Sequence, residues 1–75
     1  MVPRYHINLF WYEPDASWVA DVPDLKACSA FGDSPEEALA EIQVAMAGWL
    51  DVAQERGITI PEPSYHPDAY AAKAA

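Results

Sequence analysis

Gly32-Asp33-Ser34-Pro35-Glu36-Glu37-Ala38, preceded by the strand-like Val22-Pro23-Asp24-Leu25, is the stretch whose reading decides the fold. Each residue of the first run suits a helix start. Glycine at 32 permits a backbone conformation closed to other residues, as a turn out of a strand can require. Ser34 can accept a hydrogen bond from an unpaired amide of the first helical turn. Pro35 fits the first helical position and biases Ser34 towards the extended conformation of a cap. Glu37, three residues after Ser34, completes a capping box. A sheet therefore ends near Gly32 and a helix begins at Pro35.

Working forward, the helix is expected over 35–56, ending at Gly57, whose residue type favours a left-handed stop. Leu39, Ile42, Met46, Trp49, Leu50 and Ala53 recur at helical spacing and form its expected apolar stripe. Glu36, Glu37, Glu41, Asp51, Gln54 and Glu55 fall away from that stripe. Ile58-Thr59-Ile60 reads as a short strand closed by Pro61 and Pro63. The last residues, 64–75, are expected to be a short flexible tail, with 68–75 weakly helical at most.

Working backward, residues 5–12 alternate, with Tyr5, Ile7, Leu9 and Trp11 on one face and His6, Asn8, Phe10 and Tyr12 on the other. Glu13-Pro14-Asp15-Ala16 is a turn cluster, and 17–22 alternates again. Pairing Tyr12 with Ser17 sets Trp11 opposite Trp18, Leu9 opposite Ala20 and Ile7 opposite Val22, which makes one face continuously apolar. A third short strand is expected at 28–31. The fold class is α+β: a two-layer β-β-β-α-β domain at 1–63, with a three- to four-stranded, mainly antiparallel sheet and one long helix packed on one face.

Composition narrows the function. With 75 residues the chain allows one domain, burying roughly 60% of its unfolded surface. A core of that size makes homo-oligomerisation, as a dimer or higher, an expected source of stability. Twelve acidic against four basic residues give a formal net charge of −8. Direct nucleic-acid binding by this chain alone is disfavoured, because phosphate contacts need a basic patch; a basic protein partner is favoured, because such a field speeds its association. Solubility explains the charge equally well. The single cysteine, Cys28, cannot form an internal disulfide, and no apolar run has the length of a signal peptide or membrane span. The expected compartment is the cytoplasm.

Catalytic residue types are each accounted for by structure. His6 and His66 stand far apart with no metal-ligand spacing between them, Cys28 has no local base, and Asp33 and Ser34 belong to the turn and cap. No enzyme activity, no cofactor and no metal are expected. One feature remains. If Ile7, Leu9, Trp11, Trp18 and Ala20 face the helix, Phe10, Tyr12 and Val19 point out from a sheet face that nothing covers. With Asp21 on the same face, and Asp24 in the following loop, they are the candidate interface residues, for a partner or for a second copy.

The order Val22-Pro23-Asp24-Leu25, Gly32-Asp33-Ser34-Pro35-Glu36-Glu37-Ala38, Trp49-Leu50 and Gly57-Ile58-Thr59-Ile60-Pro61-Glu62-Pro63 resembles HicB-type antitoxins of the HicA–HicB toxin–antitoxin systems of bacteria and archaea. The resemblance covers residues 5–63. It implies a truncated ribonuclease H-like fold and a role in binding and silencing a small basic toxin that cleaves messenger RNA. An orphan homo-oligomeric binding or regulatory domain with no cognate toxin is the alternative. Two departures stand out. Relatives commonly continue with Pro-Gly after Leu25, where this chain has Lys26-Ala27. Many relatives also carry a DNA-binding segment, whereas about a dozen residues follow Pro63 here, too few for a helix-turn-helix. A nuclease-like fold does not carry nuclease activity, and the first strand has no carboxylate between Tyr5 and Tyr12 to hold a metal.

Overall fold

The structure, a computed structural model, describes residues 4–66. The elements run β1 (Asn8–Tyr12), a short 3-10 turn (Glu13–Asp15), β2 (Ser17–Asp21), β3 (Ser29–Gly32) and α1 (Pro35–Arg56). The three strands form one antiparallel sheet in the order β1-β2-β3, and α1 packs across one face. The expectation of a weak helix at 68–75 lies outside the described residues.

The hairpin register follows from its apolar pattern. Leu9 faces Ala20, Phe10 faces Val19, Trp11 faces Trp18 and Tyr12 faces Ser17. A one-residue slip would turn every one of these side chains to the wrong face. The Trp11 and Trp18 rings meet edge to face at 5.7 Å, an arrangement that suits their quadrupoles. Ile7 and Val22 extend the same alternation, yet the ladder stops at Asn8 and Asp21. From there the β2–β3 loop folds on itself, with the Val22 amide bonded to the Cys28 carbonyl and the Cys28 amide to the Leu25 carbonyl. Ala27 sits in the left-handed region at φ 58°.

The helix start forms as its residues dictate. Ser34 is extended (φ −140°, ψ 161°), and its Oγ accepts the Glu37 amide at 3.1 Å. The Glu37 carboxylate reaches back to the Asp33 amide, one residue earlier than a standard capping box. Glu36 and Glu37 oppose the positive end of the helix dipole, and Arg56 stands at its negative end. At the other terminus Gly57 takes φ +68°. Its amide bonds to Gln54, and the Ile58 amide bonds to Ala53, closing a Schellman motif.

Gly32 serves a different purpose from the one its position suggests. Among the described residues Gly57 is the only glycine with positive φ. At Gly32 the constraint is proximity: a Cβ there would lie 2.5 Å from the Ala38 backbone nitrogen and 2.9 Å from the Glu37 carbonyl carbon. The first turn of α1 thus presses on the end of β3. This contact also corrects the helix stripe. The residue turned inward at that point is the small Ala38, fully buried, while Leu39 is rotated to the rim and is 39% exposed. Ile42, Met46 and Ala53 are buried as expected, with Trp49 and Leu50 partly so.

The core joins Tyr5, Ala20, Val22, Leu25, Cys28 and Ala30 to Ala38, Ile42 and Met46. Burial of Leu25, Ile42 and Val22, all essentially closed to solvent, stabilises the domain by about 1.5–3 kcal/mol each. The helix lies mainly over β3 and β2. Leu9 and Trp11 on β1 therefore sit on the helix side of the sheet but remain substantially exposed.

The fourth strand expected at 58–60 does not form. Residues 58–66 have no regular secondary structure, and the sheet has three strands. Pro61 and Pro63 supply no amide at two alternate positions, so no paired strand can extend past Ile60. Side chains hold it instead, as described below. No helix among the described residues is long and apolar enough to cross a membrane.

The Gly32 contact gives a direct test. Gly32→Ala places a methyl against the backbone of Glu37 and Ala38 in the first helical turn, and overpacking of this kind costs about 1–3 kcal/mol. Gly48→Ala, where nothing lies within 4 Å, removes a helix-interior glycine and stabilises by roughly 0.5–1 kcal/mol. Urea unfolding of the two variants should move the midpoint in opposite directions. Equal midpoints would contradict the close approach.

Candidate interaction site

The outer face of the sheet is formed by alternate residues of all three strands. Phe10 on β1 stands opposite Val19 on β2, which stands opposite Phe31 on β3. Val19 is only 7% exposed although it belongs to the face away from the helix, whereas Phe10 and Tyr12 are each 42% exposed and Phe31 54%. The aromatic rings thus flank a buried valine floor. Together with Asp15 from the 3-10 turn and Ser29 from β3, these residues line a shallow cavity of about 380 Å³.

Of the residues singled out from the sequence, Phe10, Tyr12 and Val19 come together in this cavity. Val19 differs from expectation in being covered, because its two cross-strand neighbours are both phenylalanines. Asp21 is on the same face, one step along the register, between Asn8 and Ser29. Its charge also adds to the effect of burial in pushing the Cys28 thiol above its ordinary pKa, so that buried thiol stays protonated near neutrality. Phe31 and Asp15 were missed. The signal for Phe31 was present: setting Ala30 beside the core residue Ala20 puts Phe31 next to Val19. Asp15 carried no such signal, because strand alternation does not orient a turn residue.

Asp24 lies outside this cavity, in the loop after β2. Its carboxylate accepts hydrogen bonds from the Ser64 amide (3.1 Å), the Ser64 hydroxyl (3.0 Å) and the Tyr65 amide (3.2 Å). The side chain expected to meet a partner is engaged within the chain. Nearby, the Tyr5 hydroxyl donates to the Pro61 carbonyl, and the Tyr65 ring rests 4.8 Å from that of His6. Tyr5 and Asp24 thus tie residues 61–65 to the body of the domain, and the tail expected to begin at residue 64 is anchored at its start. Burial raises the pKa of the Tyr5 hydroxyl, and the Asp24 and Glu62 charges raise it further.

For Asp24 itself, burial works against ionisation, but the hydrogen bonds from Ser64 and Tyr65, with His66 nearby, outweigh it and hold the carboxyl below its ordinary pKa. A depressed folded pKa stabilises the folded state above the unfolded value, about 3.9, and that stabilisation is lost as pH falls through the folded value. Asp24→Asn removes the charge. The stability difference between wild type and Asp24→Asn should be steady between pH 5 and 7 and shrink below about pH 4. Urea unfolding across that range checks it, and a difference that grows on acidification would contradict the clasp.

A second apolar groove lies where the helix overhangs the free edge of β3, with Cys28, Trp49, Val52 and Ile58 in its walls. The Trp49 indole donates to the Lys26 carbonyl at 2.9 Å, tying the β2–β3 loop to α1. Among the described residues no group of three or more His, Cys, Asp and Glu side chains is arranged to hold a metal ion.

Comparison with known proteins agrees with this architecture at the level of the family. No curated protein and no solved structure gave a match. One family model, described as HicB-like antitoxin of bacterial toxin-antitoxin system, matches residues 5–74, nearly the whole chain. A sheet closed on one side by a single capped helix, and a match over that length, lead to one conclusion: the chain belongs to the HicB-like antitoxins.

Proposed function

We propose that this protein is a cytoplasmic, non-catalytic antitoxin that binds and neutralises a small basic, mRNA-cleaving toxin of the HicA type by protein–protein contact. Membership of the antitoxin family implies a toxin partner in general. The observation that carries the more specific reading is the uncovered face of Phe10, Tyr12, Val19 and Phe31 on a chain of net charge −8. Apolar contact supplies affinity at the centre of such an interface, and the acidic field draws a basic partner to it. Inhibition then needs no chemistry from the antitoxin: occupying the surface through which the toxin meets RNA is sufficient.

Co-expression with any small basic protein found to be encoded beside it is the test. Wild type should restore growth and co-purify with that protein, with association slowing as salt is raised. Phe10→Ser should weaken the complex by about 2 kcal/mol if Phe10 is an interface anchor. No rescue and no complex at low salt would overturn the reading.

Homo-oligomerisation is a second part of the proposal, and an orphan oligomeric domain without a toxin is the competing reading. Both are supported by the small core and by β1 and β3, each of which leaves one edge unpaired in the three-stranded sheet. Light scattering should report a species larger than the monomer at high protein concentration. A strict monomer would remove both.

A further inference from the structure

We infer that the cavity on the outer sheet face is a receptor for an arginine side chain of a basic protein partner; this rests on the antitoxin reading and specifies its contact. The lining has two parts that no single apolar ligand would use. Val19, Phe10 and Phe31 make an apolar floor and walls, and the lining also includes the acidic residue Asp15 and Tyr12. No lining residue is basic. The neighbouring Glu13 accepts the Trp11 indole at 2.6 Å and is not in the lining, so Asp15 is the acidic residue that this turn contributes to the cavity.

An arginine matches both parts. Its methylene stem can lie along Val19 and the phenylalanines while the charged head remains at the wet rim. Its planar guanidinium stacks on aromatic rings, attracted by their negative faces, and presents paired donors to a carboxylate. The volume, about 380 Å³, is near the lower end of ordinary ligand pockets, roughly 300–1,000 Å³. That suits one long side chain better than a bulky ligand.

Charge decides between a basic partner and a second copy of this chain. Stacking two outer faces would set one face carrying Asp15 and Asp21 against another, within two chains of charge −8. Like charges set against one another at an interface are costly, whereas a partner carrying arginine gains at the same positions.

The test uses the full chain labelled with nitrogen-15 and two blocked hexapeptides, one alternating glycine with arginine and one alternating glycine with lysine. The arginine peptide should shift the amide signals of Phe10, Val19, Ser29 and Phe31 together, and bind more tightly than the lysine peptide. Asp15→Asn and Phe31→Ser should each weaken it by about fivefold; both positions are exposed, so the variants should keep the wild-type spectrum elsewhere. Shifts centred on Glu36, Glu37 and Glu41, equal binding of both peptides, or unchanged affinity in Asp15→Asn would overturn the assignment. So would shifts at these residues that depend on protein concentration without peptide, which would give the face to a second copy. Growth rescue separates the two levels. Rescue that survives in an Asp15→Asn, Phe31→Ser double variant removes the arginine site and leaves the antitoxin. Absence of rescue by wild type, with the peptide mapped to the cavity, removes the antitoxin reading and leaves the site.

Discussion

The approach of α1 to the end of β3 is the contact on which the rest of the structure depends. Only two residues, Asp33 and Ser34, separate the strand from the helix, so the chain must reverse direction while its backbones nearly touch. Gly32 makes that possible by having no side chain, and Ala38 by having a small one. The capping interactions of Ser34 and Glu37 then set the direction in which 22 residues of helix leave the turn. That direction places Ile42 and Met46 over β2 and β3. It leaves Leu9 and Trp11 of β1 beyond the cover of the helix.

With one helix laid on one face, the other face of the sheet has no second layer among the described residues. In a larger α+β protein it would be buried; here its alternate residues are left to solvent or to a partner. The residues at those positions are not the polar ones that a wet face usually carries. Phe10, Tyr12 and Phe31 surround Val19 closely enough to exclude water from it. This apolar centre stands on a chain of formal net charge −8, the combination on which the proposed recognition of a basic partner rests.

The segment after the helix shows how side chains can replace a ladder. Residues 58–66 form no fourth strand, and the Gly57 motif turns the chain out of the helix. Asp24 and Tyr5 then fasten residues 61–65 to the domain. Asp24 therefore contributes to the integrity of the fold rather than to the outer face. Its bonds join residues about forty positions apart, so the start of the tail is part of the folded unit.

Much of the fold was legible in local sequence. The serine cap, the first-turn proline and the glycine stop follow from interactions between residues within a few positions of each other, and the hairpin register from alternation along two adjacent strands; the structure has them where those rules put them, apart from the Ile7–Val22 pair. The family resemblance was legible for the same reason, since it is carried by the same turn and cap residues. Longer-range relations were not. The burial of Val19 depends on β3 pairing with β2, and Leu39 gives way to Ala38 because of a steric limit at Gly32. The carboxylate of Asp24 is engaged by residues that the sequence alone assigned to a loose tail. Local hydrogen bonding and side-chain periodicity act over one turn or one hairpin, and so can be read from the chain. Which exposed residues gather into one cavity is settled only when three strands are brought side by side.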